Sequence, residues 1–126
     1  MSRRLVECVP NFSEGKDEAV IAEITAAIVA VEGVTLLDVD MGADFHRTVV
    51  TMVGEPEPIL EAALAATEVA LELIDMTTHR GEHARMGAVD VVPFIPISGV
   101  SMSECVELAE RFGRSASERF GLPIYL

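Results

Sequence analysis

Two β-like runs, VTLLDVD (34–40) and HRTVVTMVG (46–54), stand either side of the short MGADF segment, and stretches of helical period flank the pair. β-Branched strands around a turn-forming segment specify an antiparallel hairpin. A hairpin set between helices confines the chain to α+β architectures in which helices cover a sheet. Upstream, residues 17–31 repeat Val20, Ile24, Ala27, Ile28 and Val31 at helical spacing and meet a stop at Gly33. Before that helix, RLVECVP reads as a short strand closed by Pro10, with NFSEG as a turn leading into the helix. Downstream, Pro56 and Pro58 suit a first helical turn, and Ile59 to Ile74 is apolar and alanine-rich enough for a long, largely buried helix. VDVVPFIPI resumes as a strand in which Pro93 and Pro96 argue for an edge, a bulge or an early end. Ser101 or Ser103 caps a last helix whose Cys105, Leu108, Ala109, Phe112, Ala116 and Phe120 share a face, and GLPIYL begins a further strand.

The order βαββαβαβ contains, in its first six elements, the ferredoxin-like βαββαβ arrangement. The expected fold is α+β: ferredoxin-like with an added αβ, a mixed sheet and helices on one face. Its 126 residues suffice for one domain over 1–126 and leave no room for a second. Alternation along VTLLDVD sets Asp38 and Asp40 on one face with Val34 and Leu36, and turns Leu37 and Val39 the other way. Glu7 and Asp90 likewise interrupt apolar runs. Several strands are thus expected to carry carboxylates on a face away from the helices, mixed with apolar residues that favour a cover. The chain also stops inside an expected strand, as if the sequence had been cut.

A formal charge of −12 opposes nucleic acid and anionic membranes, whose recognition runs on clustered Lys and Arg. Arg47, Arg80 and Arg85 instead lie among glycines, histidines and strand ends, where a planar guanidinium suits a carboxylate ligand. Cys8 and Cys105 lack metal-like spacing and read as buried thiols of a reducing compartment. With neither a signal-like apolar stretch at MSRRLVECVPN nor a membrane-length window, a cytoplasmic location is expected.

THRGEHARMGAVDV (78–91) concentrates the titratable chemistry. His79 and His83 are four apart with Glu82 between, but Gly81 and Gly87 oppose a helix presenting both imidazoles, so no metal site is expected. One reading is an acid–base loop, in which a histidine shuttles a proton while arginines hold a carboxylate substrate. The other is a solvated polar loop between helix and strand. Asp38 and Asp40 are either strand-end residues feeding a turn or a functional pair in reach of Arg47 across the hairpin. His46 reads as a partly exposed strand residue, and Arg3, Arg4, Arg111, Arg114 and Arg119 as solvated. NFSEG lacks the glycines of a nucleotide loop, and no Gly-x-Ser-x-Gly is present.

Five ordered blocks, VECVPNFSEG, LLDVD followed by HRTVVTMVG, IDMTTHRGEHARMGAVDVVPFIPI, GVSMSECVELAERFG and the closing PIYL, resemble the amino-terminal subdomain of the formiminotransferase family end to end. The resemblance implies an enzyme of one-carbon metabolism. It would move a formimino group from N-formimino-L-glutamate to tetrahydrofolate, a cosubstrate, during histidine degradation, without a metal. By the same resemblance the catalytic acid–base histidine is His83 and the active-site aspartate Asp40. Arg47 and Arg85 are candidate carboxylate anchors, with Asp38 and Asn11 beside them as substrate- or folate-binding residues. Ala84 stands where the family commonly has proline, which loosens the backbone beside His83 and removes no reactive group. The family also has a second, similar subdomain, with folate in the groove between the two, and its members commonly form homodimers. The chain is then expected to be a fragment of a transferase, a natural subdomain that pairs with a separate lobe, or a non-catalytic folate-binding or interaction module.

Overall fold

A computed structural model describes residues 4–13, 17–42, 47–74 and 89–121. Along the chain these form β1 (Leu5–Cys8), β2 (Asn11–Phe12), α1 (Glu18–Val29), β3 (Val34–Gly42), β4 (Arg47–Gly54), α2 (Pro56–Leu73), β5 (Val89–Val91), β6 (Phe94–Ser98) and α3 (Met102–Phe120). The expected closing strand at 122–126 lies outside the described residues.

The first strand closes before Pro10, as the sequence suggests, but the chain stays in the sheet beyond it. Glu7 faces Val53 and Asn11 faces Val49, so β1 and β2 keep one register along β4. The Pro10 carbonyl accepts from the Val50 N–H at 3.1 Å, while the ring nitrogen has no proton to return. The missing ladder bond separates β1 from β2, and Asn11 belongs to the sheet instead of opening a turn. β6 and β5 pair with β1 and β2 in the same fashion, split before Phe94, with the Val9 N–H donating to the Pro93 carbonyl at 3.2 Å. The sheet therefore runs β3, β4, β1/β2, β6/β5, and every pairing among the described residues is antiparallel. Where the sequence led to a mixed sheet, the described strands form an antiparallel one.

Each helix begins where its local chemistry satisfies the free N–H groups. The Asp17 carboxylate accepts from the Ala19 and Val20 N–H groups at 3.0 and 3.3 Å. Pro56 opens α2 at a position where no N–H is needed. Ser101, not Ser103, caps α3 through a reciprocal capping box with Glu104. Buried strand residues Val6, Cys8, Phe12, Val50, Met52 and Phe94 all belong to one sheet face, and they form one cluster with buried residues of α1, α2 and α3. The alanines of α2 let it lie close in this layer, and the buried Thr67 hydroxyl donates to the Ala63 carbonyl at 2.8 Å. No helix among the described residues is long and apolar enough to cross a membrane.

Strand β3 corrects the alternation expected for it. Leu36 faces Met52 and Val39 faces Val50, but between them Asp38 faces Thr51 and the register skips Leu37. Leu37 is the extra residue of a β-bulge, and the inward phase changes from even to odd positions across it. Val34 and Leu36 pack on the core before the bulge, and Val39 and Met41 pack on it afterwards. Asp38 and Asp40 are consequently exposed on the opposite face from Val34 and Leu36. Carboxylates in strict alternation with Leu36 would have entered the helix-covered core unpaired, at a cost of several kcal/mol each.

Candidate functional site

The face of the sheet opposite the described helices carries four of the six candidate site residues, Asn11, Asp38, Asp40 and Arg47. Asp40 and Asn11 flank Val49 in one cross-strand row, each as its register partner. Two strand spacings put their backbones about 10 Å apart. Arg47 opens β4 opposite Gly42, and lies on the diagonal from Asp40 at the separation of roughly 7–8 Å that long side chains bridge. Asp38 faces Thr51 one row further along. Asp38, Asp40 and Arg47 are exposed, and Asn11 is half-buried. The Asn11 Nδ2 donates to the Val9 carbonyl at 3.0 Å, which restrains its side chain along its own strand.

Glu7, noted in the sequence only as an interruption, lies on the same face in a row with Thr35, Val53 and Ile95. It is half-buried at the centre of the sheet. The periodicity of RLVECVP held this signal, since Val6 and Cys8 claim the core and leave Glu7 outward. The face is not uniformly polar. Leu37 is 55% exposed, Ile97 53% and Ile95 39%, and Val49, Thr51 and Val53 form a half-buried floor between the edges. A surface of this kind offers aliphatic contact to a flat or apolar group and carboxylates to a cationic or N–H-bearing one.

His83 and Arg85 lie outside the described residues, as do His46, His79, Arg80 and Glu82. The chain leaves that stretch into β5, whose Val89 faces Phe12, next to the row of Asn11, Val49 and Asp40. Asp40, Asp38, Arg47 and Asn11 are thus brought together, towards the end of the sheet where β5 begins.

Two arginines read as merely solvated tie elements together. Arg111 of α3 donates through both terminal nitrogens to Glu57 of α2, at 2.5 and 2.8 Å, and Arg4 pairs with Glu104. These pairs line a cleft of about 280 Å³ with Pro58 and Leu108, formed by the helical layer together with Arg4. Two of its four glutamates, Glu57 and Glu104, pair with its two arginines, and its contents differ from those of the open face. The two cysteines are poor candidates for nucleophiles: both are buried, and burial raises both thiols above their ordinary range, Cys8 strongly.

Residues 5–126 match a family model for the formiminotransferase domain, N-terminal subdomain. The chain is 55% identical over 123 residues to the formimidoyltransferase-cyclodeaminase of Sus scrofa, covering 98% of itself and 23% of that protein. It is 46% identical over 123 residues to the glutamate formimidoyltransferase of Streptococcus pyogenes, covering 98% and 41%. Against the glutamate formimidoyltransferase of Thermoplasma acidophilum the identity is 47% over 122 residues, with 97% and 40% covered. The chain spans less than half the length of these curated relatives.

Proposed function

The chain belongs to the formiminotransferase family as its amino-terminal subdomain, and from that membership we propose that it supplies one wall of a formimidoyltransferase site. The observation that carries the proposal is the row of Asp40, Val49 and Asn11, with Arg47 on the diagonal, near the sheet end at which β5 begins. The substrate is N-formimino-L-glutamate and the acceptor tetrahydrofolate, in the cytoplasmic degradation of histidine. Residues 1–126 form one subdomain, and a second, similar lobe closes over the open face.

The reaction needs a group that takes a proton and then returns one. The N5 secondary amine of tetrahydrofolate attacks the formimino carbon, the C=N electron pair moves onto nitrogen, and the attacking amine gives its proton to the His83 imidazole. The tetrahedral intermediate then collapses. The nitrogen lone pair re-forms the C=N bond as the bond to the glutamate nitrogen breaks, and the His83 imidazolium protonates the departing amine. An imidazole has a pKa near ~6.5 and performs both transfers without leaving the working pH range. Asp40 holds the imidazolium or the positive charge of the amidine-like intermediate, while Arg47 and Arg85 take the substrate carboxylates. Asp38 and Asn11 bind substrate or folate beside them.

The test pairs this chain with the carboxy-terminal lobe of a relative and follows formimino transfer between formiminoglutamate and tetrahydrofolate. Transfer is expected to be poor for the chain alone, to rise with the added lobe, and to be lost in His83→Ala. Robust restored transfer by His83→Ala overturns the assignment. Calorimetric binding of reduced folate without turnover in any reconstituted form favours a binding module instead.

A further inference from the structure

We infer that Leu37 is a positioning residue: its insertion into β3 as a bulge, more than its side chain, sets the direction in which Asp40 projects from the open face. The inference rests on the catalytic reading of Asp40 proposed above, and it adds a residue that the motif-based assignment leaves out.

Three observations carry it. First, the pairings of β3 with β4 fall into two segments, Val34–Gly54 to Leu36–Met52 and Asp38–Thr51 to Gly42–Arg47, each regular and offset from the other by one residue at Leu37. Second, removal of that residue joins the segments without turning any side chain over. Val34, Leu36, Val39 and Met41 would remain inward in strict alternation, and Thr35, Asp38 and Asp40 would remain outward. The core therefore does not require Leu37, whose side chain is mostly exposed. Third, the upstream segment is pinned. The backbones at Gly33 and Gly54 approach so closely that a β-carbon on Gly54 would lie 2.6 Å from the Gly33 carbonyl oxygen. The extra length cannot be absorbed there, so it is expressed downstream.

A bulge bends its strand and raises the local right-handed twist. In β3 that twist acts on Asp38 and Asp40 immediately after it, while Asn11 and Val49 stay on the regular ladder between β2 and β4. The bulge thus changes the angle between the Asp40 carboxylate and the row it shares with Asn11, and leaves the residues on each face unchanged. Displacing a catalytic group by about 1 Å costs up to roughly 100-fold in rate, so geometry of this order is functionally significant.

The experiment uses the chain paired with a carboxy-terminal lobe and compares deletion of Leu37, Leu37→Ala, Asp40→Asn and the deletion combined with Asp40→Asn. The deletion is expected to fold, to melt cooperatively and to lower kcat by about 10- to 100-fold with little change in KM. Leu37→Ala, which keeps the bulge, should stay within about twofold of the unsubstituted protein. In the Asp40→Asn background the deletion should have almost no further effect, because both changes disable the same group. A deletion variant that does not fold, one that folds with full kcat, or additive losses in the combined variant would overturn the inference. Absence of transfer by the unsubstituted pair overturns instead the catalytic reading on which it rests.

Discussion

Substituting Gly54 by alanine should be among the most destabilising single-methyl additions available to this fold. Gly54 ends β4 and is paired on both sides, with Val6 of β1 and Val34 of β3. The added β-carbon would lie 2.6 Å from the Gly33 carbonyl oxygen, 3.3 Å from Cγ1 of the buried Ile59 and 3.4 Å from the Val34 Cα. The nearest obstacle is backbone, so no side-chain rotation relieves it. Gly33 cannot retreat cheaply either, because it sits at φ +94° against Pro58. Overpacking of a core costs about 1–3 kcal/mol, and a fixed backbone obstacle places this case at about 2–3. With an unfolding entropy of about 2.1 cal/mol/K per residue, the midpoint should fall by roughly 8–11 °C. Gly121→Ala supplies the contrast, since its β-carbon would meet no atom within 4 Å and only the left-handed backbone at φ +69° opposes it. That costs about 1 kcal/mol, or roughly 4 °C. Differential scanning calorimetry of the two variants distinguishes them. A Gly54→Ala midpoint lowered no further than that of Gly121→Ala would refute the reasoning.

Ser101→Ala removes the hydroxyl arm of the α3 capping box, leaving the backbone N–H of position 101 on Glu104, and should cost about 1 kcal/mol in urea unfolding, whereas Ser103→Ala should be near neutral; the reverse order would contradict the cap assignment. The Arg111 guanidinium holds the Glu57 carboxyl below its ordinary range by hydrogen bonding. A depressed folded-state value means stability present above the unfolded value of about 4.3 and lost as pH falls through the folded one. Because the pair is exposed, the stability difference between the unsubstituted protein and Arg111→Met should be only about 0.2–1 kcal/mol near neutrality and should shrink below about pH 4; a difference that grows on acidification would exclude this linkage. Both thiols are buried with raised pKa, so a thiol reagent at mildly alkaline pH should label native Cys8 and Cys105 very slowly and react with both at once on unfolding. Rapid labelling of the native chain would show that one of them opens to solvent.

Most of the architecture is written in short-range chemistry: the helical period of α1, the prolines opening α2, the serine cap of α3 and the β-branched run of β4. Two features escape strict alternation for a common reason. Alternation assumes an unbroken ladder, and both Pro10 and Leu37 break the ladder without taking the chain out of the sheet. The bulge does leave a trace in the sequence. Core-type residues fall on even positions at Val34 and Leu36 and on odd positions at Val39 and Met41, with the change of phase at the Leu36–Leu37 pair. That change of phase, taken as a bulge, is sufficient to turn Asp38 and Asp40 outward on sequence grounds. The Arg4–Glu104 and Arg111–Glu57 pairs leave no comparable trace, because their members are 100 and 54 residues apart and meet only once the helices pack. On the candidate site, the types and the strands of Asp38, Asp40 and Arg47 are legible in the sequence, while their shared face with Glu7 and Asn11 depends on the bulge and on the chain staying in the sheet past Pro10.

Outside β3 the register shifts twice, between β2 and β5 and between β1 and β6, and the β6 bulge gives the positioning argument an internal control. In β6 the register passes from Val6–Pro96 to Leu5–Ser98 and skips Ile97, which is 53% exposed. Both edges of the described sheet therefore carry an inserted aliphatic residue, and bulges at edges are a general device against strand pairing between molecules. If edge protection were the whole role of Leu37, the two insertions would be equivalent: deleting either would promote self-association, and neither deletion would depend on Asp40. The topology separates them. β6 lies three strand spacings, about 14 Å, from β3, beyond the range at which substitutions normally couple. Deletion of Ile97 should accordingly combine additively with Asp40→Asn in transfer assays, whereas deletion of Leu37 should not. Equal behaviour of the two deletions in both backgrounds would reduce Leu37 to an edge guard and leave the direction of Asp40 to β4 alone.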